Sequence, residues 1–169
     1  MRIAIFTTCV LTLLAPVALA QSVTYDYDRA ANFSTYKTYA WTRGTELTDE
    51  LNHVRVVRAI DAALVAKGLA SVEPSANPDV LVAYHASFDA RIQPLLVGTL
   101  IVEISDARTG AIVWRSLASS DIKPADKPEN RDQKIAKATE KMFKNYPSGG
   151  NGAMWLRLGG LFKPVSLHP

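Results

Sequence analysis

The sequence predicts an α+β domain: a two-layer sandwich in which two helices pack on one face of a mostly antiparallel, five-stranded sheet. Three observations lead to this fold class. Apolar and polar residues alternate in five short segments, which is the period of a strand. Two longer segments carry apolar residues at the spacing of an amphipathic helix. Their order is strand, strand, helix, three strands and helix, which is typical of a two-layer α+β domain.

The first two strands precede the first helix. Residues 23–27 alternate apolar and polar side chains, as a strand with one buried face does. Residues 32–35 are turn formers, and residues 36–41 continue as a second strand. Alternation places Tyr39 and Trp41 on the same face of this second strand.

The first helix is predicted to begin at Thr48, whose hydroxyl can cap the helix and which two acidic residues follow. One face of the segment is apolar, so we expect that face to pack on the sheet. Gly68, directly after Lys67, is expected to end the helix in a left-handed conformation. The apolar face comprises Val56, Val57, Ile60, Ala63 and Leu64.

Three further strands form a predicted meander over residues 79–88, 99–105 and 111–119. Residues 90–97 connect the first pair as a loop. The second pair is joined by a hairpin loop that ends at Gly110, a residue that can adopt the left-handed conformation such loops require. The meander therefore supplies most of the antiparallel sheet.

The second helix is predicted between two prolines. Pro128 fits the first turn of a helix, because the amide proton that proline lacks has no partner there, and Pro147 stops the helix. One face is mostly apolar, so this helix is also expected to pack on the sheet. That face comprises Ile135, Ala138, Thr139, Met142 and Tyr146.

Residues 1–20 are predicted to be a cleavable signal peptide. Arg2 precedes an apolar run that is followed by an Ala-Leu-Ala cleavage signal. The alternative is a membrane anchor, but a span needs about 20 apolar residues and this run is shorter. Cys9, the one cysteine, lies inside the run, so the mature chain would have no disulfide. We therefore expect export to the bacterial periplasm.

Removal of the leader leaves a predicted single domain over residues 21–147 and a tail over residues 148–169. The tail is rich in glycine and proline and has no strand or helix period, so we expect it to be poorly ordered. No segment after the leader has the length of a transmembrane span. The formal net charge of +3 is too small to indicate a nucleic acid partner.

Four sequence blocks carry a resemblance to a known family. They are Tyr-Lys-Thr-Tyr-Ala-Trp at residues 36–41, Ala-Ile-Asp and Lys-Gly-Leu within residues 59–69, Pro-Asp-Val-Leu-Val-Ala-Tyr at residues 78–84, and the hairpin at residues 98–115. Together they resemble the bacterial envelope family called domain of unknown function 4136, whose members are often lipoproteins. The resemblance implies an exported protein without a known activity. This chain departs from it in having no acylatable cysteine after the leader.

The mature chain lacks the residue patterns of common catalytic and metal sites. It has no Gly-x-Ser-x-Gly motif and no cysteine nucleophile. His53, His85 and His168 form no pair at the four-residue spacing of a helical metal site. Asp26 and Asp28 share a strand face, but nothing nearby completes a calcium or acid–base site, and turn formation explains Asp28. We therefore expect no enzymatic activity, no metal and no cofactor.

Two groups of residues are candidates for binding, and each has a structural alternative. The aromatic residues Tyr39, Trp41 and Trp114 can line a groove for a sugar or an acyl chain, or they can be core residues. Four lysines lie opposite the apolar face of the second helix, where they can meet anionic lipid or an acidic partner, or simply solvate the helix. These lysines are Lys134, Lys137, Lys141 and Lys144.

Two function hypotheses follow. The first is a non-enzymatic accessory or binding domain of the periplasm, whose partner is an envelope protein or a lipid. The second is a carrier of a small ligand or lipid, with an aromatic-lined groove between helix and sheet. A solvent-open groove lined by Tyr39, Trp41 or Trp114 would favour the carrier, whereas a filled interior with exposed strand edges would favour the accessory.

Overall fold

The computed structural model describes residues 22–92, 95–123 and 126–147. The predicted leader, residues 1–20, and the predicted tail, residues 148–169, lie outside the described residues. The elements that the structure describes follow one another along the chain as β1 (Ser22–Tyr27), β2 (Thr38–Trp41), α1 (Glu50–Ala66), β3 (Ala70–Ser71), β4 (Val80–Ile92), β5 (Leu95–Asp106), β6 (Ile112–Ile122) and α2 (Pro128–Phe143).

The strands form one mixed, six-stranded sheet in the order β1-β6-β5-β4-β2-β3. The prediction of an α+β domain with two helices is confirmed, but the prediction of a mostly antiparallel, five-stranded sheet is wrong. β2 pairs with β4 in parallel, with Tyr39 opposite Val80 and Trp41 opposite Val82, and β3 pairs with β2 in parallel. The parallel pairs arise because α1 returns the chain to the end of the sheet where β2 began.

β1, the first strand along the chain, pairs with β6, the last strand along the chain. β1 runs antiparallel to β6, with Ser22 opposite Ser119 and Tyr27 opposite Trp114. The neighbouring pairs β6–β5 and β5–β4 are also antiparallel, as the meander predicted. Residues 90–97 were expected to be a loop, but residues 90–92 and 95–97 instead extend the β4–β5 hairpin, whose last pair joins Ile92 and Leu95. β1 and β3 are therefore the two edges of the sheet.

Both helices bury the faces that the sequence predicted. Val56, Ile60 and Leu64 of α1 are buried, as are Ala138, Thr139, Met142 and Phe143 of α2, the last of which was not predicted. Gly68 ends the first helix in the left-handed region, with φ of 88°, which confirms the predicted stop. The cap differs from the prediction, because the side chain of Asp49, not Thr48, accepts hydrogen bonds from the amides of the first turn.

The two helices run side by side in the same direction. Near their starts, Arg55 Nε donates to Asp132 Oδ1 over 2.6 Å. Near their ends, Lys67 Nζ donates to the carbonyl oxygen of Lys144 over 3.3 Å. Both helices therefore begin at the same end of the sheet.

One half of the space between helices and sheet is filled by large side chains. Val82, Ile104 and Trp114 lie opposite one another on β4, β5 and β6, and all three are fully buried. The indole of Trp114 packs against the ring of Phe143, with ring centroids 4.8 Å apart, and against Tyr146, 5.6 Å away. We call this half the packed end.

Candidate binding cavity

Tyr39 and Trp41, two of the aromatic candidates, are brought together at one acidic residue of α1. The hydroxyl of Tyr39 donates to Asp61 Oδ1 over 2.6 Å, and Trp41 Nε1 donates to the same oxygen over 3.0 Å. Burial and the neighbouring carboxylate raise the pKa of Tyr39 above its ordinary value, so the hydroxyl remains a donor. The two side chains thus join β2 to α1, and Tyr39 is fully buried.

Trp114, the third aromatic candidate, lies apart from the other two at the packed end. Its side chain is fully buried, and its indole nitrogen has no hydrogen-bond partner within the described residues. Neighbouring rings cover it from the side of α2. A ligand-binding role for Tyr39, Trp41 and Trp114 stays a prediction.

The four lysine candidates divide into two groups. Lys137 and Lys141 of α2 and Lys144, directly after it, are exposed. Lys134 is half-buried, and its ammonium group contacts Asp126 Oδ2. The hydrogen bond from Lys134 lowers the pKa of Asp126, so this carboxylate is ionised at neutral pH. Contact with an anionic surface stays a prediction for all four lysines.

A cavity of about 340 Å³ lies between the helices and the sheet, beyond the packed end. It is found where both helices begin, and it opens to solvent. Its lining is mainly apolar and comes from every layer of the fold. The helices contribute Val56, Ile135 and Ala138, and the sheet contributes Ala86, Leu100 and Ala118.

The cavity exists because small residues replace large ones along the sheet. Ala86, Leu100 and Ala118 lie opposite one another on the helix-facing side, where alanine leaves space that a larger side chain would fill. In the next row Gly98 has no side chain, and the end of the Ile122 side chain lies only 2.2 Å from the position of a Cβ at Gly98. We call this half the cavity end.

Part of the cavity lining is polar and lies near the starts of the helices. Asn52 comes from the first turn of α1, Asp126 precedes α2, and Arg131 and Lys134 come from the first two turns of α2. Two cations and one carboxylate therefore belong to the lining. A mainly apolar lining with a few polar groups is the usual composition of a small-molecule site.

The family can now be assigned. The family model described as "Domain of unknown function (DUF4136)" matches residues 23–148. This chain belongs to the DUF4136 family. The resemblance that the sequence blocks carried is confirmed. No curated protein sequence matches this DUF4136 chain significantly.

Solved structures share the fold of this DUF4136 domain at low sequence identity. A DUF4136 family protein from Bacteroides thetaiotaomicron is 15% identical, with a TM-score of 0.56, covering 76% of this chain and 96% of that chain. A PelC dodecamer from Paraburkholderia phytofirmans is 13% identical, with a TM-score of 0.54, covering 73% of this chain and 94% of that chain. A PDZ domain protein from Parabacteroides distasonis is 15% identical, with a TM-score of 0.55, covering 78% of this chain but 37% of that chain. These likenesses show the fold alone.

His53 and His85 belong to two separate polar clusters of this DUF4136 domain, and His168 lies outside the described residues. His53 Nδ1 lies 2.6 Å from the hydroxyl of Tyr84, which also accepts the amide of Leu47. His85 Nε2 lies 3.6 Å from Glu103, on the sheet face away from the helices. Across the described ranges, no three His, Cys, Asp or Glu residues approach closely enough to hold a metal ion.

The carboxylates of Asp26 and Asp28 each accept a hydrogen bond from a backbone amide. Asp26 Oδ1 accepts the amide of Tyr27, and Asp28 Oδ1 accepts the amide of Ala30, as in a turn.

Within the part of the chain that the structure describes, no helix has the length and apolar character needed to cross a bilayer.

The aromatic residues predicted for a groove, Tyr39, Trp41 and Trp114, do not line this cavity, and the residues that do line it were not predicted for a groove. A signal for the cavity was present as three small residues: Ala86 and Ala118 near the ends of two predicted strands, and Gly98 directly before a third. Small residues in strands also occur where two backbones approach closely, so the pattern alone does not indicate a cavity. The register between strands is needed to show that they share one end of the sheet.

Proposed function

We propose that this protein is a non-enzymatic binding domain of the bacterial envelope that holds a small apolar ligand at the cavity end. The observation that carries the proposal is the solvent-open, mainly apolar cavity of about 340 Å³ between helices and sheet. The carrier hypothesis likewise invokes a groove between helix and sheet, but Tyr39, Trp41 and Trp114, which it named, do not line this cavity. The leader predicted over residues 1–20 supports the envelope compartment.

The size and lining of the cavity suit a compact apolar molecule. Ligand sites typically enclose about 300–1,000 Å³, so this cavity is at the small end of that range. Val56, Leu100 and Ile135 offer aliphatic surface, which favours transfer of an apolar group out of water. The charged groups of the lining come from the first two turns of α2 and from the segment before it, and Thr99, Ser119 and Ser120 of the sheet also line the cavity.

Binding of N-phenylnaphthylamine, a neutral apolar dye that fluoresces when it leaves water, tests the proposal. Ala138→Leu puts three additional carbon atoms into the cavity and should abolish the fluorescence increase. Ala136→Leu is the matched control, because Ala136 is exposed on the same helix. We expect wild type and Ala136→Leu to bind the dye equally. Absence of binding by the wild-type protein, or equal binding by Ala138→Leu, would contradict the proposal.

A second candidate function is the accessory domain that binds a protein partner through β1. This strand is an edge of the sheet, and edge strands offer unpaired backbone groups to another chain. Tyr25 and Tyr27 of β1 are 45% and 38% exposed, which is unusual for large aromatic side chains in a sheet. The solved PelC structure is a dodecamer, so a protein of this fold does self-associate.

Sedimentation velocity tests the second candidate. If copies of this chain pair through β1, wild type sediments as an oligomer and Tyr25→Lys sediments as a monomer. Lysine at an edge strand disfavours pairing with another chain. Val54→Lys is the control, because Val54 is also an exposed apolar residue but lies on α1. A monomeric wild-type protein would leave self-association without support.

A further inference from the structure

We propose that α1 is the contact surface for a second copy of this chain, and that the two α1 helices pack antiparallel about a twofold axis. The contact surface, which we call the α1 stripe, lies on the side of the helix away from the core. It is separate from the cavity, whose lining contains none of its residues. The α1 stripe comprises Leu51, Val54, Arg58, Asp61 and Val65.

The α1 stripe exposes large apolar side chains on the face that a surface helix usually makes polar. Leu51 and Val65 are 68% and 61% exposed, and Val54 is also exposed. These residues lie along most of the helix from Glu50 to Ala66, so the exposed apolar surface is extended rather than a single side chain. A second apolar surface laid against it would remove this area from water, which favours association.

The spacing of the α1 stripe is that of a contact between two helices. Its residues follow one another at intervals of three, four, three and four positions. This is the interval of a coiled-coil seam, in which the side chains form one narrow line along the helix. The neighbouring helix of the same chain lies on another side, where Arg55 of α1 contacts Asp132 of α2. The α1 stripe is therefore left for a partner outside the domain.

The order of the residues favours antiparallel packing of two identical helices. With the twofold axis between Arg58 and Asp61, Val54 faces Val65 of the second copy, and Arg58 faces Asp61 of the second copy. Parallel packing would instead place Arg58 against Arg58 and Asp61 against Asp61, and like charges repel. The α1 stripe is thus complementary to itself only when the second copy is reversed, as a twofold contact requires.

Both charges of the α1 stripe are available to the second copy. Arg58 is exposed and forms no ion pair within the described residues. Asp61 is half-buried, and its Oδ1 accepts hydrogen bonds from Tyr39 and Trp41. Its Oδ2 accepts no hydrogen bond from the residues that the structure describes. The carboxylate is therefore held in place by one oxygen and can accept a guanidinium group with the other.

The dimer should be weak, because one pair of helices is a small contact. Stable interfaces bury about 800 Å² on each partner. One face of a 17-residue helix, about 25 Å long and 10 Å wide, offers less. We therefore expect monomer and dimer to exchange as the protein concentration changes.

Disulfide crosslinking tests the register. Two variants are prepared with Cys9→Ser, which removes the one cysteine of the chain; one also carries Val54→Cys and the other Val65→Cys. Their mixture should yield a crosslinked dimer, because these positions face each other and a disulfide needs Cα atoms about 4.4–6.8 Å apart. Either variant alone should yield little, because the same position in the two copies is offset along the axis by eleven residues, about 16 Å.

A mixture of the Val65→Cys and Lys137→Cys variants gives the background, since Lys137 is exposed on α2. Crosslinking of the Val54→Cys and Val65→Cys mixture at the background level would overturn the inference. Equal crosslinking by either variant alone would overturn it as well.

Sedimentation velocity tests the contacts. Val54→Lys and Arg58→Glu should each raise the Kd of the dimer at least about tenfold, the first by placing a charge against an apolar residue and the second by repelling Asp61 of the second copy. Arg58→Lys should keep the dimer, and so should Lys137→Glu, an equal charge reversal on α2. Unchanged far-UV circular dichroism shows that each variant is folded. A wild-type protein that is monomeric at all concentrations, or variants that dimerise as tightly as wild type, would overturn the inference.

The same measurement separates this contact from pairing through β1. Tyr25→Lys should leave the α1 dimer intact, whereas pairing through β1 requires that variant to be monomeric. A dimer that is lost in Tyr25→Lys and kept in Val54→Lys would overturn the inference and support the contact through β1.

Discussion

The indole of Trp114 supports the packed end through its contacts with Phe143 and Tyr146. Trp114→Ala would leave a void that these rings cannot fill, so we expect a loss of about 3–5 kcal/mol in the free energy of unfolding. Ile112, two residues earlier on β6, is 45% exposed, and Ile112→Ala should change stability little. Thermal melts of the two variants measure the difference. A Trp114→Ala protein as stable as Ile112→Ala would mean that the indole is not a core anchor.

Among the glycines that the structure describes, Gly44 is the one at which an added methyl group would meet backbone. A Cβ at this position would lie 1.9 Å from the carbonyl oxygen of Tyr84, where β4 cannot yield without breaking its pairing. Gly110 has open space around it but a left-handed φ of 71°, so Gly110→Ala should cost only about 1–2 kcal/mol. We expect Gly44→Ala to lower the free energy of unfolding by more than Gly110→Ala does, as measured by urea unfolding. Equal losses would show that the segment before α1 shifts freely.

At the scale of elements, Asp79 joins the start of β4 to β2. Its Oδ2 accepts the amides of Lys37 and Thr38 and the hydroxyl of Thr38, at 2.8–2.9 Å. The amide of Lys37 is the main cause that lowers the pKa of Asp79 below its ordinary value of 3.8, and burial opposes it. Because the pKa is lower in the folded state, the stabilisation is present above 3.8 and is lost as pH falls through the folded value.

Asp79→Asn therefore has a predicted pH dependence. At neutral pH the variant should be less stable than wild type by about 1–2 kcal/mol, because hydrogen bonds to a charged acceptor are replaced by weaker ones. The difference should vanish once the pH is below the folded pKa, where wild type also carries a neutral group. Urea unfolding at several pH values measures both limits, with Asp121→Asn at an exposed position as the control. A difference that does not change with pH would exclude the charge as its cause.

The helices and most strands could be predicted from the sequence, because their signals are local. The apolar stripe of α1 and the stop at Gly68 depend on neighbouring residues only. The parallel edge of the sheet could not be predicted from the sequence, because β3 has only two residues and its pairing with β2 depends on the path of the chain through α1. The cavity also needed the register, which brings Ala86 and Ala118 into one row. Tyr39 illustrates the remaining ambiguity, as an aromatic residue suits a core and a ligand site equally well.

At the scale of the whole molecule, the helix-facing side of the sheet has two ends with different roles. The packed end is filled by large side chains, and the cavity end gives up part of that packing. Natural proteins lose stability at such sites in exchange for binding. Filling the cavity should therefore stabilise the protein and remove its function at the same position.

Ala138→Leu separates these two effects. In the absence of ligand, we expect it to raise the free energy of unfolding by about 0.5–2 kcal/mol, as cavity-filling substitutions commonly do. N-phenylnaphthylamine at a hundred times its Kd for wild type should raise the free energy of unfolding of wild type by about 2.7 kcal/mol. The dye should leave the free energy of unfolding of Ala138→Leu unchanged. Ala136→Leu, on the exposed side of α2, should match wild type with and without the dye. Melting temperatures of the three proteins measure all of these changes. A ligand-free Ala138→Leu that melts below wild type would mean that the space is already occupied, since leucine would then displace whatever fills it.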